Sequence, residues 1–269
     1  MSAVATADAK REALRHLIRE RAPLVIAYSG GVDSAFLLAV AAEAVADSCL
    51  GVIADSPSLP RQALADALQL AGQIGARVEM VGTDEMHDPN YTSNPVNRCY
   101  FCKAELFTKL DALAQERGFR AIAYGENADD ARQVRPGRQA AAEFEVLAPL
   151  KEVGLTKSEI RAFSRCMNLP TADAPAQPCL SSRIPYGTPV TAVALAMIER
   201  AEAAVRLLGF RVFRVRHLVE AERTRARVEI APNEMPIRES IAHSLRAALR
   251  GVGYDDVSID PRGYRSPVA

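Results

Sequence analysis

Pro23-Leu24-Val25-Ile26-Ala27-Tyr28-Ser29-Gly30-Gly31-Val32-Asp33-Ser34, continuing into the largely apolar run Ala35 to Val45, is the stretch that decides the fold. A short apolar run, a turn with two glycines and a longer apolar run read as strand, glycine turn and helix. Two glycines let the backbone approach a ligand closely, and the free N–H groups of a helix start favour anionic oxygens. The loop therefore predicts a nucleotide site at Ser29, Gly30, Gly31, Asp33 and Ser34. It lacks the Gly-Lys-Ser/Thr ending of a Walker A sequence, which argues against a γ-phosphate-transferring P-loop. The competing reading is an ordinary strand-to-helix turn rich in small residues.

Outward from this loop the strand–helix alternation repeats. Residues 9–20 carry apolar residues at helical spacing and read as an opening helix. Residues 49–54 form an apolar strand ending at Asp55-Ser56-Pro57. Residues 61–74 form an amphipathic helix stopped by Gly75, and residues 77–81 the next strand. Residues 103–117 form a helix stopped by Gly118, ahead of the strand 121–124. This predicts an α/β fold with a doubly wound, mostly parallel sheet whose ligands bind at the C-terminal strand ends, where Ser29–Ser34 falls. After Pro185-Tyr186-Gly187-Thr188-Pro189 the pattern becomes helix 191–208, strands 211–217 and 225–230, helix 237–250 and strand 256–259. The expected organisation is a nucleotide domain over 1–189 and a small C-terminal α+β domain over 190–269.

Composition narrows the function classes. Apolar residues make up 49% and charged residues 25% of the 269, as in a soluble globular protein. Lys+Arg and Asp+Glu both number 33, so the net charge is zero and a broad nucleic-acid footprint is not expected. Met1–Asp8 lacks the charged and apolar regions of a secretory leader, and no apolar stretch reaches membrane-spanning length. Five cysteines are too few and scattered for a disulfide scaffold, so a cytoplasmic, reducing compartment is expected.

Cys99-Tyr100-Phe101-Cys102 stands at the start of the helix running from Lys103, where a helix N-terminus favours thiolate. A lone CxxC fits a redox pair, half a zinc site or chance. Cys179, in the irregular segment Gln177-Pro178-Cys179-Leu180-Ser181-Ser182-Arg183, is a better functional candidate than Cys49, on a strand, or Cys166, on an amphipathic helix. Those two read as small buried hydrophobes. Three thiolates do not close a tetrahedral zinc site, but suffice for a [4Fe–4S] cluster with one iron left open. The alternative has Cys179 acting alone as nucleophile or sulfur carrier.

Taken together, the motifs resemble a family. Ser29–Ser34 is similar to the SGGxDS loop of the ATP pyrophosphatases, the PP-loop superfamily of adenine nucleotide α-hydrolase-like fold. Gly125-Glu126-Asn127-Ala128-Asp129-Asp130, Arg135-Pro136-Gly137, Pro149-Leu150-Lys151-Glu152 and Cys179-Leu180-Ser181-Ser182-Arg183-Ile184-Pro185-Tyr186-Gly187 follow in order. With Gly263-Tyr264-Arg265-Ser266 near the end, the chain resembles the LarE family of pyridinium-biscarboxylic acid mononucleotide sulfurtransferases from about Lys10 onward. The resemblance implies that ATP adenylates a substrate carboxylate, pyrophosphate leaves and sulfur is installed as a thiocarboxylate, a step in making a nickel-pincer cofactor. It implies ATP contacts at Ser29, Gly30, Gly31, Asp33, Ser34, Gly125 and Asp129. Substrate contacts are implied at Ser182, Arg183, Glu202, Arg214 and Arg216. Some members sacrifice one cysteine's sulfur; others hold a [4Fe–4S] cluster on cysteines matching Cys99, Cys102 and Cys179, and this chain has all three. Homo-oligomers through the C-terminal domain are implied too.

The chemistry explains these residue types. Adenylation gives a poor electrophile a leaving group, and the loop must stabilise charge on departing pyrophosphate. Asp33 and Asp129 suit Mg²⁺ as oxygen ligands, with helix N-terminal capping and solvation as the alternative for both. Lys157 suits pyrophosphate or is a solvated first-turn lysine. Arg214 and Arg216 share one strand face with the geometry phosphate favours. Arg225 and Arg227 repeat the pattern and read as a solvated face; like charges facing one another need an acid or anion between them. The chain departs from the family at Gln133-Val134, usually Asp-Tyr, and at Ala172-Asp173-Ala174-Pro175, which lacks a basic residue. Iron–sulfur tRNA thiolases share the loop and three cysteines but need a basic surface. Amidating ligases share the loop without explaining the cysteines, and a nucleotide-binding regulator or cluster scaffold is the non-enzymatic alternative.

Overall fold

The computed structural model describes residues 3–132, 136–175 and 178–264. Gln133, Val134 and Arg135, and likewise Gln177, Arg265 and Ser266, lie outside the described residues. The chain forms two compact units, one comprising Met1–Glu85 and Asn97–Ala174, the other Met86–Val96 and Pro175–Ala269.

In the first unit, α1 (Ala3–Arg21) precedes β1 (Leu24–Ala27), α2 (Val32–Val45), β2 (Cys49–Asp55), α3 (Arg61–Ile74) and β3 (Val78–Gly82). Then follow α4 (Arg98–Arg117), β4 (Ala121–Tyr124), α5 (Pro136–Glu143) and α6 (Lys157–Cys166). The four strands are parallel in the order β3-β2-β1-β4. Alternate residues of β1 feed two cores, as side chains of successive strand residues must. Leu24 and Ile26 pack with α1, α2, α3 and α6, whereas Val25 packs with Phe107 and Leu110 of α4 and Ala140 and Ala141 of α5. The sheet is thus covered on both faces, the doubly wound arrangement expected. The chain steps outward from β1 to β3 and then returns to the other side of β1 at β4. Ala27 and Tyr124 are the last paired residues of those neighbours, so the loops leaving them open at the point where strand order reverses.

The helix stops follow the glycines. Gly75 and Gly118 take left-handed conformations (φ 74° and 71°) after α3 and α4, as chain reversal at a helix end favours. Helix α4 begins at Arg98 rather than Lys103, so Cys99 and Cys102 lie inside its opening turns, three apart and on one face.

The second unit contains α7 (Ala192–Leu207), β5 (Phe213–Glu220), β6 (Arg223–Ile230), α8 (Glu239–Val252) and β7 (Asp256–Ile259). β5 and β6 are antiparallel and β7 joins β6 in parallel. Val215, Ala226, Val228 and Val257 face the core residues Met197, Ala201, Leu245 and Leu249 of the two helices. Arg214 and Arg216 alternate with these core residues and take the opposite face. The unit does not begin at residue 190. The Gly187 amide donates to Asn94 O (2.9 Å) and the Val190 amide to Thr92 O (2.8 Å). Fully buried Asn94 donates to the Pro185 and Thr188 carbonyls, and the Tyr91 hydroxyl meets the Ser181 hydroxyl at 2.6 Å. These bonds knit the segment 86–96 to the segment following Pro178.

Candidate functional site

At the reversal point, Ser29–Ser34 folds back on itself. The Ser29 amide donates to Ser34 Oγ (3.2 Å), the two hydroxyls meet at 3.0 Å, and Ser34 Oγ donates to Gly31 O (3.1 Å). Gly31 caps α2 in an extended conformation, and the first helical bond runs from Ala35 N to Gly31 O (2.9 Å). The N–H groups of Val32, Asp33 and Ser34 precede that bond, as at any helix start, and form the anion-favouring end of α2. Gly30 has φ 72°, and a Cβ there would stand 2.6 Å from Ala67 Cβ; backbone conformation and close packing both require glycine.

Gly125–Asp130, leaving β4, meets this loop. A Cβ on Gly125 would lie 2.7 Å from Ser34 N and 2.9 Å from Asp33 C, so the two backbones touch only because residue 125 is glycine. Buried Asn127 accepts from the amides of Asp129 (2.9 Å) and Asp130 (3.2 Å) and shapes the turn. Asp129 Oδ2 accepts the Lys157 amide (2.8 Å) at the start of α6, which corresponds to the capping alternative. The Lys157 ammonium reaches Asp33 Oδ2 (2.7 Å), so this lysine is committed to an acid of the loop rather than solvated alone. Its position is fixed by a capping box of Thr156 and Glu159, the latter clamped by Lys10 (2.8 Å). Asp33 Oδ1 is buried with no hydrogen-bond partner among the described residues. Burial raises the Asp33 pKa above the ordinary aspartate value, with the Lys157 charge opposing. A buried, unpaired carboxylate oxygen beside an anion-favouring helix start has the chemistry of a cation–phosphate site.

Glu126, in the same loop, received no role from the sequence beyond its place in the motif. It is 4% exposed, accepts from the Tyr124 hydroxyl, pairs with Arg138 Nε (2.8 Å) and approaches Lys151 Nζ (3.4 Å). These residues line a cleft of about 300 Å³. The signal was available in Glu126 and Lys151 each belonging to a quoted motif, but Arg138 becomes visible only once α5 is packed.

The second unit gathers the arginines. Arg183 makes a two-pronged pair with Glu202 (2.8 and 3.1 Å) and donates to the carbonyls of Pro178 (2.6 Å) and Cys179 (3.2 Å) and to Ser182 Oγ (3.0 Å). Glu202 also accepts the Val215 amide (3.1 Å). Both heads are spent on each other and on holding the Cys179 loop against β5. Arg216 pairs with Glu229 (2.9 Å) and donates to Ser182 O (2.8 Å). Arg214, 2% exposed, makes no ion pair with a carboxylate among the described residues, and its Nε is buried without a hydrogen bond there. Its pKa lies below the ordinary arginine value, through burial first and then the charges of Arg216 and Arg183. Three arginines share two acids. Arg216 faces Arg227 across the strands, and the repulsion is relieved by Glu229 on one and Asp260 (3.7 Å) on the other. Arg225 pairs with Glu220 (2.6 Å) and Asp256 (3.1 Å), so the second Arg-x-Arg pair, on the central strand, is an ion-paired face rather than a plainly solvated one. Glu229 was not singled out from sequence, and Tyr264 received no role there beyond its place in the motif; the strand register supplies the first, and tertiary structure sets the ring of the second beside Arg214.

The cysteines divide between the units. Cys99 (exposed) and Cys102 (half-buried) belong to the first, and half-buried Cys179, preceding a single helical turn at Leu180–Arg183, to the second. Cys49 is buried, which pushes its thiol up to about 11, in line with an inert core residue. Cys166 corrects the sequence reading: it is exposed, because it ends α6 beyond the buried turn of Ile160, Phe163 and Ser164. Among the described residues no three Cys, His, Asp or Glu side chains form a group able to hold a metal ion. At the departure Ala172-Asp173-Ala174, Arg161 donates to the carbonyls of Ala172 and Ala174 (2.9 Å for the latter) and anchors the backbone where the basic residue is lacking. No helix among the described residues is long and apolar enough to cross a membrane.

No protein-family model matches the chain. It is 41% identical over 261 residues, 96% of each chain, to a protein of Synechocystis sp. described as uncharacterized. It is 29% identical over 266 residues, 98% of this chain and 94% of the relative, to pyridinium-3,5-bisthiocarboxylic acid mononucleotide synthase of Lactiplantibacillus plantarum. A glutamine-hydrolysing GMP synthase of Thermomicrobium roseum is 29% identical over 230 residues, 75% of this chain and 43% of that enzyme.

Proposed function

Since the chain belongs to the LarE family of PP-loop proteins, we propose that it is an ATP-dependent sulfurtransferase acting on a pyridinium-biscarboxylic acid mononucleotide. The observation that carries the reading is the junction of the Ser29–Ser34 loop with Gly125 and the Asp33–Lys157 pair at the reversal of strand order. In the proposed reaction a substrate carboxylate oxygen attacks the α-phosphorus of ATP, the α–β bridge breaks and pyrophosphate departs. A sulfide sulfur then attacks the acyl carbon, and AMP leaves with the former carboxylate oxygen, giving a thiocarboxylate.

Ser29, Gly30, Gly31 and Ser34 would receive the phosphates at the N-terminus of α2. The unpaired Asp33 oxygen fits Mg²⁺, which would supply neutralisation of phosphate charge. Lys157 would exchange Asp33 for a phosphate oxygen as the nucleotide enters, while Gly125 permits the approach and Asp129 keeps α6 in place. In the second unit Arg214, Arg216 and Ser182 would receive the substrate's anionic groups, and Arg183 with Glu202 would hold Cys179 and Ser182 in position. The donor chemistry of Cys99, Cys102 and Cys179 fits a [4Fe–4S] cluster, which would supply a labile sulfide. A second reading, supported by the half-buried Cys179 in a loop held by Arg183, has Cys179 donate its own sulfur. A homo-oligomer is part of the proposal, tested by sedimentation.

The deciding experiment is mass spectrometry of pyridinium-biscarboxylic acid mononucleotide after incubation with the protein, ATP, Mg²⁺ and a sulfur source. Oxygen-for-sulfur exchange with equimolar AMP is expected. Unchanged substrate with every sulfur source, under conditions in which the folded protein binds ATP, overturns the reading.

A further inference from the structure

The arginine cluster of the second unit has an asymmetry in its partners. Glu202 is taken by Arg183, and Glu229, which stands across the strand pair from Arg214, turns its carboxylate to Arg216 instead. Among the described residues Arg214 is left with an aromatic ring. Its guanidinium carbon lies 5.1 Å from the centroid of Tyr264, and one terminal nitrogen reaches the Tyr264 hydroxyl at 3.4 Å, a long contact that leaves the ring face as the main interaction.

The backbone around Tyr264 is tied to β6. The Asp260 amide donates to Val228 O (2.9 Å), the Gly263 amide to Asp260 O (3.0 Å) and the Tyr264 amide to Ile230 O (2.8 Å). Gly263 has φ 68°, and a Cβ there would stand 2.7 Å from Ile230 O, so this turn requires glycine. The Asp260 carboxylate, held down to about 2 chiefly by its hydrogen bonds to Arg262, pins the turn further and also pairs with Arg227. The ring is presented by an anchored segment.

We propose that Tyr264 is a positioning residue for substrate recognition: its ring fixes the Arg214 guanidinium for an anionic group of a mononucleotide while leaving the positive charge unneutralised. A carboxylate in its place would hold the arginine equally well and cancel the charge that attracts the ligand; an aliphatic side chain would preserve the charge and lose the orientation. The inference rests on the sulfurtransferase reading only in taking a mononucleotide as the ligand of this cluster.

The test is calorimetric titration of the full-length protein with nicotinic acid mononucleotide, a pyridinium mononucleotide used as probe, alongside kinetics of pyrophosphate release. Tyr264→Leu is expected to weaken probe binding about tenfold, the loss of one oriented charged contact, and Tyr264→Glu more than that. Tyr264→Phe, which keeps the ring, is expected to stay within about threefold of wild type. In turnover the mononucleotide KM rises in Tyr264→Leu while kcat and the ATP KM stay put. A purely structural role would instead lower kcat through the active fraction and leave both KM values unchanged. Probe binding by Tyr264→Leu equal to wild type, or equal losses in Tyr264→Leu and Tyr264→Phe, overturns the proposal alone. No probe binding by folded, ATP-binding wild type overturns the ligand assignment of the cluster, and this inference with it.

Discussion

Asp33 is the residue on which the Ser29–Ser34 loop turns. One of its oxygens is held by Lys157 and the other is buried and unpaired, an arrangement that costs stability unless a cation or donor arrives. Asp33→Ala and Ser34→Ala are each expected to abolish pyrophosphate release while the far-ultraviolet dichroism stays that of wild type; normal release by both variants would remove the ATP assignment. The raised pKa of Asp33 has a pH consequence whose sign is fixed. A carboxyl that binds its proton more tightly in the folded state than in the unfolded chain loses charge as pH falls through the raised value, and that protonation favours the folded state. Ligand binding that needs the carboxylate is lost over the same window. The acid limb of pyrophosphate release should therefore lie above the ordinary aspartate value of about 3.9. Lys157→Met, which removes the opposing charge, should move the limb further up in a pH–rate profile; an unmoved limb would detach Asp33 from the reaction.

At the scale of elements, the site depends on two close approaches. Where β4 ends, Gly125 lets its loop rest on the first turn of α2, and Gly125→Ala forces a methyl group against backbone that cannot rotate away. The expected cost is about 1–3 kcal/mol, read as a lower melting temperature, with a higher ATP KM as the loops part. Where β5 carries Arg214 and Arg216, replacement of either by Ala should weaken mononucleotide binding by about 1.5–3 kcal/mol and spare ATP binding. Titration of both ligands against both variants checks this, and unchanged mononucleotide affinity would return the pair to a structural role. Much at this scale was legible because local chemistry decided it. Gly75 and Gly118 ended helices where their left-handed conformations are needed, and the apolar runs of β1, β2 and β4 had no alternative to a buried parallel sheet. Other features were not. The start of α4 was hidden because Asn97 makes no side-chain cap. The β5–β6 turn places Ala221 and Glu222 at positive φ (47° and 64°), a conformation usually signalled by Asn-Gly. Neither the Glu126–Arg138 pair nor the Tyr264–Arg214 contact has a local signature, since each joins residues that only tertiary packing brings together.

For the molecule as a whole, the question is how sulfur is carried, and the cysteines decide it. Cys99 and Cys102 occupy the opening turns of α4 in the first unit, and Cys179 sits in the second within a loop held by Arg183. If the three share a [4Fe–4S] cluster, anaerobically purified protein should be brown and carry about four irons per chain. Replacing any one of them by Ala should remove most of that iron. Replacing Cys49 or Cys166 should not, the first because its buried thiol resists ionisation and the second because it stands at the far end of α6. A cluster-bearing protein should turn over repeatedly with inorganic sulfide, because the labile sulfide is replenished and no side chain is consumed. If Cys179 gives up its own sulfur, the pattern reverses: one turnover, dehydroalanine at position 179, a mass loss equal to H₂S, and indifference to Cys99→Ala. The cluster is the stronger expectation, since sacrifice at Cys179 alone leaves two thiols, three apart at a helix start, without work. Iron analysis of wild type and the five single variants, read beside the intact mass after turnover, separates the two routes; protein that stays colourless and iron-free after anaerobic reconstitution would overturn the cluster.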